Sequence, residues 1–404
     1  MCNVIFDPQP TSSLLTTSNP PGHLGPADKL QQRSTRMAFF VAGISAATWA
    51  SLVPFAKARA NLDEGTLGLL LLFLGAGSVL AMPTAGVLVR WYGCRKVLTG
   101  STVLICAALP MLATASTFPL LAVTLLFFGA GQGSADCAFN MQAVIVETAS
   151  KRPLMSGFHG FYSVGGIFGA AMASGLLTLG ATPLTGTLAS VALILAVFTA
   201  AFRGLLPYAG ASHGPALAFP RGIVLFLAIL CFVLFLVEGA LLNWSAVFLT
   251  QERGMPSAQA GFGFACFSVT MTIGRLMGDV IVKKLGPRSI VAGGGSLATL
   301  GIVLTALVPY WQISLLGCAL IGIGCANIVP VLFSAVGRQK RMPQSVAVPA
   351  LTTLGYAGIL AGPAGIGLVA HHSGLVAAFL WLAALTTGVA ISARAFESRT
   401  SAAD

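Results

Sequence analysis

The sequence predicts an all-α membrane protein, with twelve transmembrane helices in two six-helix, pseudo-symmetric bundles. Three observations carry that prediction. The 404 residues are 56% hydrophobic and only 8% charged, with a mean hydropathy of +0.88. A soluble domain holds about 25% charged residues because its surface faces water. Apolar runs long enough to cross a bilayer, roughly 20 residues each, recur along the chain. The basic residues between them fall almost all in alternate connections, on one side, as expected where cytoplasmic loops collect Lys and Arg.

The spans are justified in order. Residues 1–36 are rich in Pro, Ser and Thr and read as a flexible cytoplasmic tail, or as a stretch preceding a true start at Met37. Span 1 (37–56) follows Lys29, Arg33 and Arg36, and carries Trp49 towards its outer end. Span 2 (66–89) stops at Arg90, and span 3 (97–117) begins after Arg95 and Lys96. Span 4 (118–146) contains Gln132, Asp136 and Asn140 and gives way to Lys151 and Arg152. Span 5 (153–178) holds His159, Tyr162 and several glycines; span 6 (183–202) ends at Arg203. A polar gap, 203–220, is the expected cytoplasmic linker.

Span 7 (221–249) carries Glu238, Asn243 and Trp244. Span 8 (259–282) holds Arg275 and Asp279 before Lys283 and Lys284. Spans 9 (288–308), 10 (311–336), 11 (345–370) and 12 (373–393) complete the count, with 394–404 as a cytoplasmic tail. Asn327 and Pro330 mark span 10 as broken, and Gly358, Gly362 and Pro363 give span 11 a packing face with a hinge. The domains are therefore 37–202 and 221–393.

Charge tests the count independently. With the amino terminus inside, only Lys57, Arg59 and Arg253 of the 22 Lys and Arg fall outside, and Arg275 lies within a span. A wrong span count scrambles such an alternation. The net charge of +11 is thus a topology signal rather than a nucleic-acid surface, which needs a basic cluster on one face. The eight cysteines include no C-x-x-C pair. No metal cluster, nucleophile constellation or G-x-x-x-x-G-K phosphate loop is present, so neither an enzyme nor a cofactor is expected.

Sliding the second half over the first gives an offset of about 193 residues, as parallel transporter repeats do. Trp49 meets Trp244, and Leu67-Gly68 meets Ala260-Gly261. Tyr92-Gly93-Cys94-Arg95 meets Leu285-Gly286-Pro287-Arg288. Gly131 and Gly133 fall near Gly322 and Gly324, and Gly166-Ile167 near Gly358-Ile359.

These residues resemble the major facilitator superfamily. The loop Gly86-Val-Leu-Val-Arg90-Trp-Tyr-Gly93-Cys-Arg95-Lys96 is similar to the family's basic motif, which usually has Asp where this chain has Arg90. The second-half copy runs from Gly274-Arg275 through Gly278-Asp279 to Lys283-Lys284-Leu285-Gly286. Asp136-x-x-x-Asn140-x-Gln142 through Glu147, Met155-Ser156-x-x-His159-Gly160, Glu238-Gly239 to Trp244-Ser245, and Gly355-Tyr356-x-Gly358 resemble the YbjJ-type inner-membrane group near fucose permease. The resemblance implies a secondary transporter in a bacterial inner membrane, working by alternating access as a monomer with both termini cytoplasmic. Its implied partners are a small-molecule substrate, protons and the bilayer.

An ionisable residue inside a span usually faces the bundle interior. Gln132, Asp136 and Asn140, at i, i+4 and i+8, share one helix face, with Glu147 further on. Asp136 is expected to take a proton from one side and release it on the other. In fucose permease an acid followed four residues later by Asn in helix 4 serves sugar binding and proton coupling, and Asp136 and Asn140 match that pattern. The alternative is a structural carboxylate. Glu238 reads as a second coupling group, a ligand for substrate, or the partner of an intramembrane base.

Asn140, Gln132, Tyr162, Asn243, Trp244, Trp49 and Asn327 are candidates to line the substrate site, although each Trp suits an interfacial anchor equally. Arg90, Arg95, Arg275, Asp279 and His159 are candidates for gating, Arg275 and Asp279 as an i, i+4 ion pair near the cytoplasmic end. The function expected is proton-coupled transport of a small polar solute, a sugar or related metabolite. An efflux antiporter of the same fold, and a non-transporting receptor or scaffold, stand as alternatives.

Overall fold

The structure, a computed structural model, describes residues 28–209, 219–256, 259 and 261–401. The helices are α1 (Lys29–Arg59), α2 (Glu64–Thr114), α3 (Phe118–Ser150), α4 (Met155–Thr178), α5 (Pro183–Ala201), α6 (Ile223–Gln251), α7 (Phe262–Leu307), α8 (Trp311–Cys325), α9 (Ile328–Arg338) and α10 (Gln344–Ser401). A single 3-10 turn, Phe202–Gly204, follows α5. No strand occurs among the described residues.

Nine helical segments there are long and apolar enough to cross a membrane, α8 and α9 together forming one of them. Three of the nine, the apolar stretches of α2, α7 and α10, run for 49, 46 and 52 residues. A straight 49-residue helix is about 74 Å long, against a hydrocarbon core of about 30 Å. Each therefore turns back on itself, at Gly93 (φ 79°), Gly286 (φ 77°) and Gly374 (φ 84°), a conformation that costs glycine little and other residues much.

Contacts confirm the reversals. α3 packs on both arms of α2: Ser78 donates to the Gly129 carbonyl at 2.9 Å, while Gly131 faces Ser101 and Ile105. α8 likewise meets both arms of α7, at Thr270–Ala319 (2.9 Å) and at Gly301–Gly317. In α10, Trp381 of the second arm lies on Gly365 of the first. Doubling the three segments gives the twelve crossings.

The repeat is as visible in packing as in sequence. A Cβ on Gly129 would meet the Leu74 carbonyl, and one on Gly322 the Phe267 carbonyl, the equivalent position in the second half. Helices α1 and α4 touch backbone to backbone at Gly43, Gly165 and Tyr162, as α6 and α10 do at Gly239, Gly358 and Gly362. Small residues let membrane helices approach this closely.

Two arginines at the end with few basic residues, Arg59 and Arg253, are repeat mates as well. Arg59 donates to the carbonyls of Leu112 (2.8 Å) and Ala115 (2.7 Å), and Arg253 to those of Thr305 (3.1 Å) and Ala306 (2.5 Å). Each satisfies carbonyls that a helix C-terminus leaves without intrahelical donors. That structural role accounts for basic residues on the side with few of them.

The outer surface is a band of exposed apolar side chains, including Leu72, Leu80, Val103, Phe127, Val280, Leu368 and Ile391, as a lipid-facing surface requires. The tail boundaries differ from expectation. Residues 1–27 lie outside the described residues, but Lys29–Arg36 are the first turns of α1. Gln32 and Thr35 are buried there, bonded to Ser150 (3.2 Å), Arg152 (2.7 Å) and Gln142 (3.0 Å). The linker also starts packed: Leu205 and Leu206 are buried, and Leu206 N–H donates to Gln142 at 3.0 Å. Residues 210–218 lie outside the described residues. At the other terminus, helix continues through Ser401.

Candidate functional site

A cavity of about 70 Å³ lies where α1, α3 and α4 of the first half face α6, α7, α9 and α10 of the second. Its polar lining is Asp136 and Asn140 from α3, His159 and Tyr162 from α4, Glu238 from α6, Arg275 from α7 and Tyr356 from α10. Phe39, Phe139, Phe235, Phe333 and Ile359 supply the apolar wall. Both halves contribute to this lining.

Helix geometry explains the convergence. Asp136 and Asn140 stand one turn apart on α3, and the Asn140 amide donates to the Asp136 carbonyl at 2.9 Å, which fixes its rotamer. The Asp136 carboxyl makes no hydrogen bond or ion pair among the described residues, and it is partly exposed to the cavity. Two further atoms of the cavity lining are buried without partners, Asn140 Oδ1 and His159 Nε2. Buried polar atoms are nearly always bonded, so these two mark places where a ligand or water can bind. His159 is held between Phe39 (5.1 Å between centroids) and Phe333 (5.5 Å), one from each half.

Arg275 departs from expectation. Its partner is not Asp279 but Glu238, at 3.9 Å across from α6. The guanidinium also reaches Ser163 Oγ (3.3 Å) and the Ala326 carbonyl (3.4 Å). It sits in the cavity rather than at the gate, because α7 enters at 262 and reaches mid-depth near residue 275. Asp279, one turn on, instead accepts from the Gly157 N–H at 3.0 Å.

That contact belongs to a seal between the halves. The N-terminus of α4 meets two carboxylates: Glu147 accepts from Leu154 and Met155 N–H, each at 2.8 Å, and Asp279 arrives from the other half. A helix N-terminus presents unsatisfied donors and a partial positive charge, so both carboxylates are well placed. Nearby, Gly160 lies on Leu276, and Gly337 on Val144. The repeat-related contact sets Gly86 of α2 against Ser345 and Pro349 at the start of α10, with no acid there. All of these contacts lie at the end that carries Lys151, Arg152, Lys283 and Lys284, referred to below as the basic end.

The other candidates lie elsewhere. Gln132 accepts from Ser45 at 2.9 Å and ties α3 to α1. Trp49 is buried, and Asn243 bonds back to the Gly239 carbonyl at 2.8 Å. The Trp244 indole donates to the Pro363 carbonyl at 3.0 Å, within the α10 segment that proline interrupts. Asn327 sits in the α8–α9 break and donates to the Gly274 carbonyl at 3.0 Å. Arg95 bonds the carbonyls of Leu205 (2.8 Å) and Arg203 (3.1 Å), pinning the start of the linker within its own half. Arg90 is half-buried at the basic end.

Sequence reasoning missed Tyr356 and the phenylalanine walls. The repeat could have found Tyr356, since it falls within a residue of the position equivalent to Tyr162. Phenylalanine is too common here, at 25 residues, for the others to stand out.

The family model described as the Major Facilitator Superfamily matches residues 37–363. An uncharacterized MFS-type transporter of Yersinia pestis is 51% identical over 366 residues, covering 90% of this chain and 95% of that one. The membrane protein MosC of Rhizobium meliloti is 30% identical over 382 residues, covering 93% and 92%. Among solved structures, the major facilitator transporter FucP in its outward conformation superposes with a TM-score of 0.77 at 18% identity, over 90% of this chain and 98% of that one. The fold, the paired halves and this match across most of the chain agree: the protein belongs to the major facilitator superfamily, a family of membrane transporters and not of enzymes.

Proposed function

We propose that the chain is a proton-coupled carrier of a small polar solute, and that its halves rock alternately about the central cavity. One observation carries the reading: a carboxylate without a protein partner, Asp136, faces a cavity between the two halves beside the Glu238–Arg275 pair. Ionisable groups placed inside a membrane bundle mark ion and substrate pathways. FucP, similar in fold, is a fucose:proton symporter in E. coli. Asp136 takes up the proton, while Glu238, held by Arg275, completes the polar lining. The alternative of a non-transporting receptor predicts that Asp136 is dispensable.

Cargo meets Asn140, His159, Tyr162 and Tyr356. Asn140→Ala removes the amide whose Oδ1 has no partner, so KM for transport is expected to rise roughly tenfold, about 1.4 kcal/mol, with kcat retained. An unchanged KM, measured by initial rates in proteoliposomes, would remove Asn140 from the site.

The seal at the basic end is the gate of this reading, with the basic end cytoplasmic. Asp279→Asn removes the negative charge from the α4 N-terminus, an interaction worth about 0.3–2 kcal/mol. The expected result is faster alkylation of a cysteine placed at Ser156, because the gate opens more often. Identical labelling rates in both backgrounds would assign Asp279 to helix capping alone.

A further inference from the structure

Arg275 is buried, yet each of its contacts is long: 3.3 Å to Ser163, 3.4 Å to the Ala326 carbonyl and 3.9 Å to Glu238. A charged N–H to a carboxylate normally settles at about 2.7–2.9 Å. No other Lys or Arg lines the cavity among the described residues. The guanidinium is thus held only by long contacts on the wall of the cavity. Its fork matches a planar carboxylate.

We propose that Arg275 anchors a carboxylate on the cargo, so that the chain carries a small hydroxylated monocarboxylate together with one proton. The inference rests on the proton-coupled reading above and names its substrate class. Hydroxyl groups on the cargo meet the partnerless Asn140 Oδ1 and His159 Nε2, and the phenols of Tyr162 and Tyr356.

Charge explains why a proton accompanies such a cargo. The groups that face the Arg275–Glu238 pair are Asp136 on α3, His159 and Tyr162 on α4, Cys325 ending α8 and Tyr356 on α10, with Cys231 on Glu238's own helix. Without cargo, and with Asp136 ionised, the lining sums to two carboxylates and one guanidinium. With a carboxylate on Arg275 and a proton on Asp136, the sum is unchanged. Loaded and unloaded carriers then cross with the same charge, and transport is electroneutral. A neutral cargo with one proton would move net positive charge. A phosphate dianion would leave the lining more negative by one.

The test has two stages, both on the full chain. First, thermal shift in detergent compares gluconate and glucuronate with glucitol, glucose, glucosamine and glucose 6-phosphate. The carboxylates are expected to raise Tm and to bind at least tenfold more tightly than their neutral partners. Arg275→Gln is expected to lose that preference and Arg275→Lys to keep part of it. If Arg275→Gln does not fold, the charged and neutral pairs on the unmodified protein decide alone. Preference for a neutral, amine or phosphorylated ligand, or no binding by either carboxylate, overturns the inference.

Second, the bound carboxylate is offered to proteoliposomes under an imposed pH gradient or an imposed potassium potential. Accumulation driven by the pH gradient, with an initial rate changed less than twofold by the potential, supports the inference. Uptake of a neutral solute driven by both gradients overturns it and leaves proton coupling standing. Carboxylate flux indifferent to the pH gradient overturns proton coupling itself and leaves the Arg275 anchor.

Discussion

With Asp136 replaced by Asn, pH-driven accumulation of solute is expected to fall at least 100-fold, while exchange of labelled for unlabelled solute continues. The amide keeps the size of the carboxyl and its capacity to accept hydrogen bonds, but it cannot carry a proton between compartments. Net symport needs that proton to be released before the empty carrier returns; exchange does not. The variant is also expected to fold, and to melt at the same temperature or higher, because burying an unpaired carboxylate costs stability. Reconstituted vesicles give both fluxes, and a melting curve in detergent gives the third readout. Normal uphill transport by the Asn variant would remove Asp136 from coupling. Loss of exchange along with accumulation would place it in binding.

Gly358→Val is expected to have the largest effect on stability. A Cβ at Gly358 would run into the Phe232 carbonyl of α6, and neither helix backbone can give way as a flexible side chain can. Overpacking a core costs typically 1–3 kcal/mol when side chains absorb the strain; here the helices must part, and about 3 kcal/mol or more is expected. The contact lies beside Ile359 and Tyr356, so the cavity wall loosens along with the fold. Gly293→Ala is the control, because its Cβ would meet nothing within 4 Å. The first variant should lose most of its folded yield and the second none. Equal melting temperatures would show that the α6–α10 approach is not tight in the membrane.

The scaffold was legible because two signals repeat. Lys and Arg collect in alternate loops, and the glycine positions recur, so Gly93 and Gly286 reverse their helices in the same conformation. The arginines that depart from the charge pattern, Arg59 and Arg253, resolve into matching clamps on helix C-termini. The site was only half legible because it does not repeat. At the 193-residue offset, Asp136, Glu238 and Arg275 fall on Val329, Ser45 and Met82.

Helical spacing placed Asp136 and Asn140 together, since both lie on one helix. Spacing within α7 also suggested Arg275 with Asp279, and there it failed. The choice of partner depended on α4 and α6, which local periodicity does not report. Trp49 and Trp244 match in sequence, yet both are absent from the cavity lining. Their repeat signal reflects packing.

Distances between spin labels test the rocking of the two halves most directly. In a background with its own cysteines replaced, one pair at Lys151 and Lys284 spans the basic end, and another at Leu179 and Tyr310 spans the opposite end; all four positions are exposed. Acidification in lipid is expected to move the two distributions in opposite directions, one pair parting as the other closes, and Asp136→Asn should abolish the response. Distances that stay fixed, or that lengthen together at both ends, would contradict alternating access about the Asp136 cavity.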